Sequence, residues 1–260
     1  MQLTDIDFQR LKQAKQLLEN PGLAAKITDA IGKPIEQGFA LLPKTVSNGI
    51  GKVTQMALTK AVDAALFTLK DGANLHSSDK WHKFGVALSG GVGGFFGLSA
   101  LAIELPISTT IMLRSIADIA RSEGEQLSDL ATKMACLEVF AFGGQSLDDD
   151  QTETGYFAVR TVLANSIAES AQYVATKGFT KEAAPMMVKI VTIVAERFGV
   201  QVTQKVAAQA VPAIGAAGGA IINTLFIDHF QDMARGHFVV RGLERKYGEQ
   251  QIRECYEAIQ

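Results

Sequence analysis

Residues 46–69 read VSNGIGKVTQMALTKAVDAALFTL, and the spacing of apolar side chains in this stretch decides the fold class. The apolar positions recur every three or four residues, whereas the charged positions lie largely on the other side of a helical wheel. The apolar face contains Val46, Ile50, Val53, Ala57, Ala61, Ala65 and Leu69. This period predicts an amphipathic α-helix, a type of helix that can bind a membrane interface.

The rest of the 260-residue chain follows the same pattern. Glycine and proline punctuate the sequence, and almost every segment between them has a period of 3.6 rather than 2. The chain is 47% hydrophobic and 20% charged, a composition that argues against disorder. We therefore predict an all-α protein folded as a compact multi-helix bundle. We expect an N-terminal helical region over residues 1–75 and a helical domain over residues 76–260. The alternative is that the two form one continuous domain.

Two long segments, residues 84–103 and residues 206–227, carry no charged side chain. Each is long enough on paper to cross a bilayer. Each also contains a glycine-rich cluster, at residues 90–97 and 215–220, and small residues of this kind let helix backbones approach closely. Because glycine lowers both helix propensity and apolar area, we expect two central helices of the bundle, covered on all sides, rather than transmembrane spans.

The charge balance and the cysteines exclude several classes of protein. Lys and Arg number 25 against 27 Asp and Glu, so no global basic field exists to attract nucleic acid. Cys136 and Cys255 are far apart and form no CxxC pair, which argues against a disulfide framework or a zinc knuckle. Residues 1–7 carry acids and lack the basic segment of a secretory signal. A cytoplasmic location fits these features best.

The first candidate site lies in residues 104–122. At 100° per residue, its polar side chains fall within an arc of about 140°. They are Ser108, Arg114, Ser115, Asp118, Arg121 and Ser122. Pro106 disfavours helical geometry at the preceding residue, so we expect Glu104 to lie at a helix junction or kink. Glu104 and the polar face could line a cleft in which Arg114 and Arg121 hold an anionic substrate. The alternative is that these charges form ion pairs within the helix.

The second candidate site follows the second uncharged segment. Asp228, Asp232 and Arg235 share one helical face, and His229 lies one turn from Asp232. His229 oriented by Asp232 could act as a general base, and Arg235 could hold an anion. Asp228, His229 and Asp232 could also bind a hard metal ion together with Glu104. The simpler interpretation is a charged helix end with internal ion pairs, and the sequence specifies no cofactor.

Other motifs carry less chemistry. The glycine cluster at residues 90–97 lacks the Lys-Ser/Thr of a phosphate-binding loop, and no HExxH, CxxC or Glu-xx-His pattern occurs. An acidic loop at residues 143–152 lacks EF-hand spacing, so we interpret it as solvated. Single carboxylates stand in otherwise apolar helices, and we expect each to pair with a cation. The carboxylates are Glu138, Glu169 and Glu196, and the candidate cations are Lys133, Arg160 and Arg197.

Ordered motifs from about Trp81 onward give the chain a recognisable signature. They are Gly90–Gly97 (GGVGGFFG), Ile103–Pro106 (IELP), Arg114–Arg121 (RSIADIAR), Gly215–Ala220 (GAAGGA), Asp228–Gln231 (DHFQ), Ala234–Phe238 (ARGHF) and Leu243–Gly248 (LERKYG). In these motifs the chain resembles the EcsC family, whereas residues up to about Gly72 show no such match. The resemblance implies an intracellular bacterial protein from a family named for a gene that neighbours an ABC transporter in some genomes. It implies no catalytic residues.

These features lead to one functional expectation and two alternatives. We expect an EcsC-like helical accessory protein at the cytoplasmic membrane face, peripheral to the inner membrane, whose partner is a membrane lipid or a transporter. The first alternative is a hydrolase or metal-dependent enzyme with the Asp/Glu/His/Arg cleft described above. The second is a purely structural bundle that binds a protein partner.

Overall fold

The computed structural model describes residues 3–19, 22–32, 36–66, 97–143, 155–164, 168, 184–210 and 215–259. The helices are α1 (Asp5–Glu19), α2 (Leu23–Ile31), α3 (Glu36–Leu41), α4 (Lys44–Leu66), α5 (Gly97–Ser122), α6 (Leu130–Glu138), α7 (155–164), α8 (Ala184–Ala210), α9 (Gly215–Tyr247) and α10 (Glu249–Ala258). A 3-10 turn, Val139–Ala141, extends α6. Every element in these ranges is helical, and this confirms the predicted all-α bundle.

Helix α4 is the amphipathic helix that residues 46–69 predict, and residues 67–69 lie outside the described ranges. Its apolar face, represented by Ile50, Ala57 and Ala61, is buried against α5 and α8. Gln55 also donates a hydrogen bond to Thr192 of α8 at 3.0 Å. The apolar face of α4 therefore belongs to the protein core.

Helix α5 runs continuously through Pro106. The expected helix junction is therefore wrong, because Glu104 lies inside the helix rather than at its end. The alternative expectation, a kink at this position, stays a prediction. Proline removes one backbone donor, but side chains nearby add hydrogen bonds to the backbone. Thr110 Oγ1 donates to the carbonyl of Pro106 at 2.7 Å, and Ser108 Oγ donates to the carbonyl of Leu105 at 3.1 Å.

Helix α9 is 33 residues long and packs against α1, α2, α5, α8 and α10. Four buried rings form the aromatic part of the core between α6, α8 and α9, with centroids 4.9 to 6.0 Å apart. They are Phe140, Phe198, Phe226 and Phe230. Offset and tilted ring pairs of this kind add to the stabilisation that burial alone provides.

The contact between α1 and α9 requires a glycine at position 236. A Cβ atom placed there would lie 2.6 Å from Cγ of Leu18 and 2.9 Å from the carbonyl oxygen of Ala14. Both α1 residues are buried, so the two helices cannot separate without exposing apolar surface.

Replacing Gly236 by alanine should lower the free energy of unfolding by about 1–3 kcal/mol, the usual cost of overpacking a core. Gly199 of α8 provides the control, because a Cβ there would meet no atom within 4 Å. Gly199→Ala should raise stability by up to about 1 kcal/mol through helix propensity. Urea unfolding of both variants measures the difference, and equal stability of the two would contradict the close α1–α9 contact.

The uncharged segments are only partly described. Residues 84–96, most of the acidic loop and Glu169 lie outside the described ranges. Residues 206–227 contribute the last turns of α8 and the first turns of α9. Among the described helices, none is long and apolar enough to span a bilayer. The division at residue 75 stays a prediction.

Candidate functional site

Glu104 is engaged by a lysine from another helix. Lys205 Nζ of α8 lies 2.6 Å from Glu104 Oε1, and the lysine is 1% exposed. The same ammonium lies 4.9 Å from the centroid of the Phe226 ring, a cation–π distance. The pair therefore joins α5 to α8 beside the start of α9, and the carboxylate of Glu104 serves as the counter-ion of a buried lysine.

Asp118 and its neighbours form a separate polar face on α5. Asp118 accepts a hydrogen bond from Arg121 at 2.8 Å, and both side chains are about one-third exposed. Arg114 is half-buried on the same helix. Fourteen residues separate Asp118 from Glu104, which corresponds to about 21 Å of helix. These two carboxylates therefore cannot ligate the same ion.

A hydrogen bond between side chains connects the polar faces of α5 and α9. Gln231 Nε2 of α9 donates to Ser115 Oγ of α5 at 2.9 Å. Asp232, one residue further on, accepts from Lys26 of α2 at 2.9 Å and from Arg235 at 3.0 Å. The carboxylate of Asp232 is thus held by two cations, and α2 is fixed to α9 at this point.

Asp228 and His229 point to different surroundings although they are adjacent in sequence. Asp228 is exposed, whereas His229 is 0% exposed. Neither ring nitrogen of His229 has a hydrogen-bond partner. Burial lowers the pKa of His229 to about 4; the charge of Lys26 adds to this shift and Asp232 opposes it. His229 is therefore neutral at pH 7 and is not hydrogen-bonded to Asp232.

The candidate site carboxylates for which the structure shows a partner take part in separate ion pairs rather than in one shared cluster. Glu104 and Asp232 are occupied by cations from different helices, and Asp118 pairs along its own helix. Within the described ranges, no three His, Cys, Asp or Glu side chains lie close enough together to hold a metal ion.

A second set of ionisable groups, which we term the buried ion cluster, lies between α6, α7 and the C-terminal half of α9. Its members are Glu125, Glu138, Tyr156, Arg160, His237, Arg241 and Glu244. All of them are buried or half-buried. Groups of opposite charge that are withdrawn from water in this way must satisfy one another.

Two arginines hold two carboxylates in this cluster. Arg160 of α7 donates to both oxygens of Glu244, at 2.6 and 3.0 Å, in the bidentate arrangement that arginine favours. Arg241 Nε donates to Glu125 at 3.0 Å, and Thr132 and Arg245 also donate to this carboxylate. Burial alone would raise the pKa of Glu125, but the hydrogen bonds from these arginines outweigh it and hold the pKa below its usual value.

Three further groups form a row at the centre of the cluster. Glu138 Oε2 lies 3.5 Å from His237 Nε2, and His237 Nδ1 lies 3.0 Å from the hydroxyl of Tyr156. Burial raises the pKa of Tyr156, so the hydroxyl keeps its proton. Arg160 Nη1 donates to that hydroxyl at 3.4 Å. Tyr156 therefore donates to His237 Nδ1, and the ring proton of the neutral imidazole lies on Nε2, facing Glu138.

Glu138 and His237 have strongly shifted acidities. Burial raises the pKa of Glu138 to about 7, although Arg160 and Arg241 act against this shift. Burial, with help from the same two arginines, lowers the pKa of His237 well below its usual value. At neutral pH the row therefore contains a neutral histidine and a carboxyl group close to its midpoint of protonation.

The model of the EcsC protein family matches residues 5–243 of the chain. The chain belongs to the EcsC family. The match begins in α1. It therefore includes the N-terminal helices of this EcsC protein, in which the motifs quoted above show no resemblance to the family. Every member of the buried ion cluster except Glu244 lies inside the matched range. No curated protein and no solved structure gives a significant match.

The sequence contains a signal for the buried ion cluster of this EcsC protein, although our sequence analysis did not use it. Tyr156 and Arg160 are spaced i,i+4, and so are His237 and Arg241, so each pair lies on one helical face. We expected Glu138 to pair with a cation such as Arg160. In the structure Arg160 instead binds Glu244, and the His237 ring lies 3.5 Å from Glu138.

Proposed function

We propose that this EcsC-family protein is a helical accessory protein that acts at the cytoplasmic face of a membrane by binding the lipid surface with one end of its bundle. The observation that supports the proposal is a set of large apolar side chains left in solvent at that end. They are Phe39, Leu41, Ile103, Ile107 and Ile221, and their exposed fractions range from 37% to 69%.

Three contacts bring the helices that carry these side chains to the same end of the bundle. Glu104 of α5 binds Lys205 of α8. Gln209 near the end of α8 hydrogen-bonds Asn223 of α9 at 3.2 Å. Helix α3 packs closely on α8, where position 38 must be glycine. We term this region the apolar end.

The chemistry of the apolar end favours lipid insertion over electrostatic attraction. Complete burial of one isoleucine side chain contributes about 1.5–3 kcal/mol, so several partly exposed ones are sufficient for reversible binding. The formal net charge of the chain is −2, which supplies no general attraction to anionic lipid. We therefore expect binding that depends little on salt. Helix α4 does not contribute, because its apolar face is in the core.

A flotation experiment tests the proposal. The full chain is mixed with phosphatidylcholine vesicles, with and without phosphatidylglycerol, and the fraction that floats with lipid is measured. We expect wild-type protein to float, and the double variant I103S/I107S to partition at least tenfold less. Val162 of α7 is 53% exposed and lies beside Arg160, near the other end of α9. V162S is therefore the matched control and should float like wild type.

Two results would overturn the proposal. One is wild-type protein that stays entirely in the soluble fraction with every lipid composition. The other is equal loss of flotation in V162S and in the double variant, which would show that the apolar end has no special role. Circular dichroism of each variant verifies that the comparison is made between folded proteins.

We do not propose the hydrolase alternative. Asp232 and Glu104 each neutralise a cation from another helix, and His229 has no carboxylate partner. In the described part of the chain, His229 therefore lacks the hydrogen-bonded acid that would orient a general base.

A further inference from the structure

Glu104 is a carboxylate among the exposed isoleucines of the apolar end. Ile103 precedes it, and Ile107 lies three residues further along the same continuous helix, α5. At about 100° per residue, Glu104 and Ile107 are roughly 60° apart around the helix. Ile103 and Ile107 are 69% and 37% exposed, and the side chain of Glu104 is 14% exposed. The carboxylate therefore lies at the edge of the surface that we propose to enter lipid.

Lys205 reaches this carboxylate from the protein interior. Its Nζ donates to Glu104 Oε1 at 2.6 Å, although the lysine is 1% exposed. The same ammonium lies 4.9 Å from the centroid of the Phe226 ring, which is also 1% exposed. A buried ion pair is often no more stabilising than well-packed apolar side chains of similar volume. Stability alone is therefore a weak reason for a lysine at this position.

Among the described residues, Lys205 is the cation that is paired with Glu104. Helices α4, α6 and α9 also pack against α5. Toward the apolar end, the charged side chains of α4 and α9 are exposed, whereas those of α6 lie close to the buried ion cluster. They are Lys44, Lys52 and Asp228 on the first two helices and Lys133 and Glu138 on α6. Because water and salt screen exposed charges, Lys205 dominates the electrostatics of Glu104. The next charged residue of α5 itself is Arg114, about 15 Å further along the helix.

We propose that Lys205 is a positioning residue for lipid binding, because it holds the Glu104 carboxylate in a neutral ion pair and so lets the apolar end enter lipid without a free charge. This inference rests on the proposed membrane function. An unpaired carboxylate is much more costly to withdraw from water than a paired one. Since Lys205 approaches Glu104 from the buried side, the pair stays intact when lipid replaces water around Ile103 and Ile107.

Flotation of the full chain with phosphatidylcholine vesicles at pH 7.5 and pH 5 tests this role. Wild-type protein should float equally at both pH values. Lys205→Met should partition at least tenfold less at pH 7.5 and should recover at pH 5, because a carboxyl group withdrawn from water without a counter-charge favours its protonated form. The double variant E104Q/K205M, which lacks both charges, should recover flotation at both pH values. Lys26→Met is the matched control, because Lys26 Nζ lies 2.9 Å from Asp232 in an ion pair outside the apolar end, and it should float like wild type.

The pH profile separates charge neutralisation from a merely structural role. Flotation of Lys205→Met that equals wild type at pH 7.5 overturns the role of Lys205 and leaves the membrane function standing. A loss that is the same at both pH values, and that the double variant does not reverse, shows structural damage and also overturns it. Wild-type protein that never floats overturns the membrane function and this inference together. If circular dichroism shows that Lys205→Met is unfolded, Lys205→Gln takes its place, since the amide still donates to the carboxylate and only the charge is lost.

Discussion

Replacing Arg160 by methionine should lower the free energy of unfolding by about 3–5 kcal/mol, which would be the largest effect of any single change considered for this protein. The substitution keeps most of the side-chain volume but removes the charge that holds Glu244, whose side chain is 7% exposed. Breaking a buried ion pair on one side leaves the other charge without compensation, and this is more costly than loss of the pair. Tyr156 also loses its guanidinium donor.

The double variant R160M/E244L tests whether the uncompensated charge of Glu244 causes this loss of stability. Since it removes both charges, we expect it to recover most of the stability lost in R160M. Arg235 is the matched surface control, because it pairs with Asp232 at 3.0 Å but its side chain is 51% exposed. R235M should cost less than about 1 kcal/mol. Urea unfolding at pH 7 gives all three values, and a double variant no more stable than R160M would show that packing, rather than charge, dominates.

The second large effect concerns pH and Glu138. Burial raises the pKa of this carboxyl from its ordinary value of 4.5 to about 7 in the folded protein. Between these two values the unfolded chain loses a proton that the folded protein keeps, so the free energy of unfolding falls as pH rises. At 1.36 kcal/mol per pH unit, the contribution lost by pH 8 is about 3 kcal/mol. The ionisable groups that act on Glu138 are Tyr156, Arg160, His237, Arg241 and Glu244.

Glu138→Gln should remove this dependence, because glutamine resembles the protonated carboxyl at every pH. We expect the variant to match wild type near pH 4 and to exceed its stability by about 3 kcal/mol at pH 8. The pH profile of wild-type stability alone does not measure the effect of Glu138, because the titration of His229 changes stability in the opposite direction. Its pKa is lowered to about 4, so its contribution is present above pH 6.5 and is lost as pH falls. The difference between variant and wild type cancels the contribution of His229, which both proteins share.

The exposed residue Glu196 of α8 provides the control for this experiment. Glu196→Gln should change stability by less than about 0.5 kcal/mol at either pH. If the stability of Glu138→Gln changed with pH in parallel with that of wild type from pH 4 to 8, the raised pKa of the buried carboxyl would be contradicted.

Local periodicity was sufficient to predict the helices. Ile50, Ala57 and Ala61 recur at the spacing of one helical face, and in the structure they are buried on one face of α4. The expected role of that face was less certain from sequence, because the same pattern suits a membrane interface and a protein core. Only the packing partners α5 and α8 decide between the two.

Long-range pairing of charges was not predictable in the same way. Glu104 meets Lys205 at a separation of 101 residues, and Arg160 meets Glu244 at a separation of 84. Spacing within a helix shows which residues share a face, but it does not say which face of another helix will cover them. For this reason the sequence predicted Asp118–Arg121, an i,i+3 pair, but not the contacts of His237 with Glu138 and Tyr156.

Pro106 shows the limit of a rule based on one residue. The steric argument predicted a junction or a kink before it, and the junction is wrong because α5 continues through the proline, where neighbouring residues are packed. Leu105 is 0% exposed and Met112 is 1% exposed, so tertiary burial holds the helix together across the proline.

The contact of α1 with the end of α9 has a consequence for the order of folding. Asp7 accepts hydrogen bonds from Lys246 at 2.7 Å and from the hydroxyl of Tyr247 at 2.6 Å, across separations of 239 and 240 residues. A contact between such distant residues closes a very long loop, so we expect it to form late in folding. During synthesis at about 5–20 residues per second, α1 waits on the order of 10–50 s before its partner leaves the ribosome. Helix α1 is thus expected to dock long after it has been made.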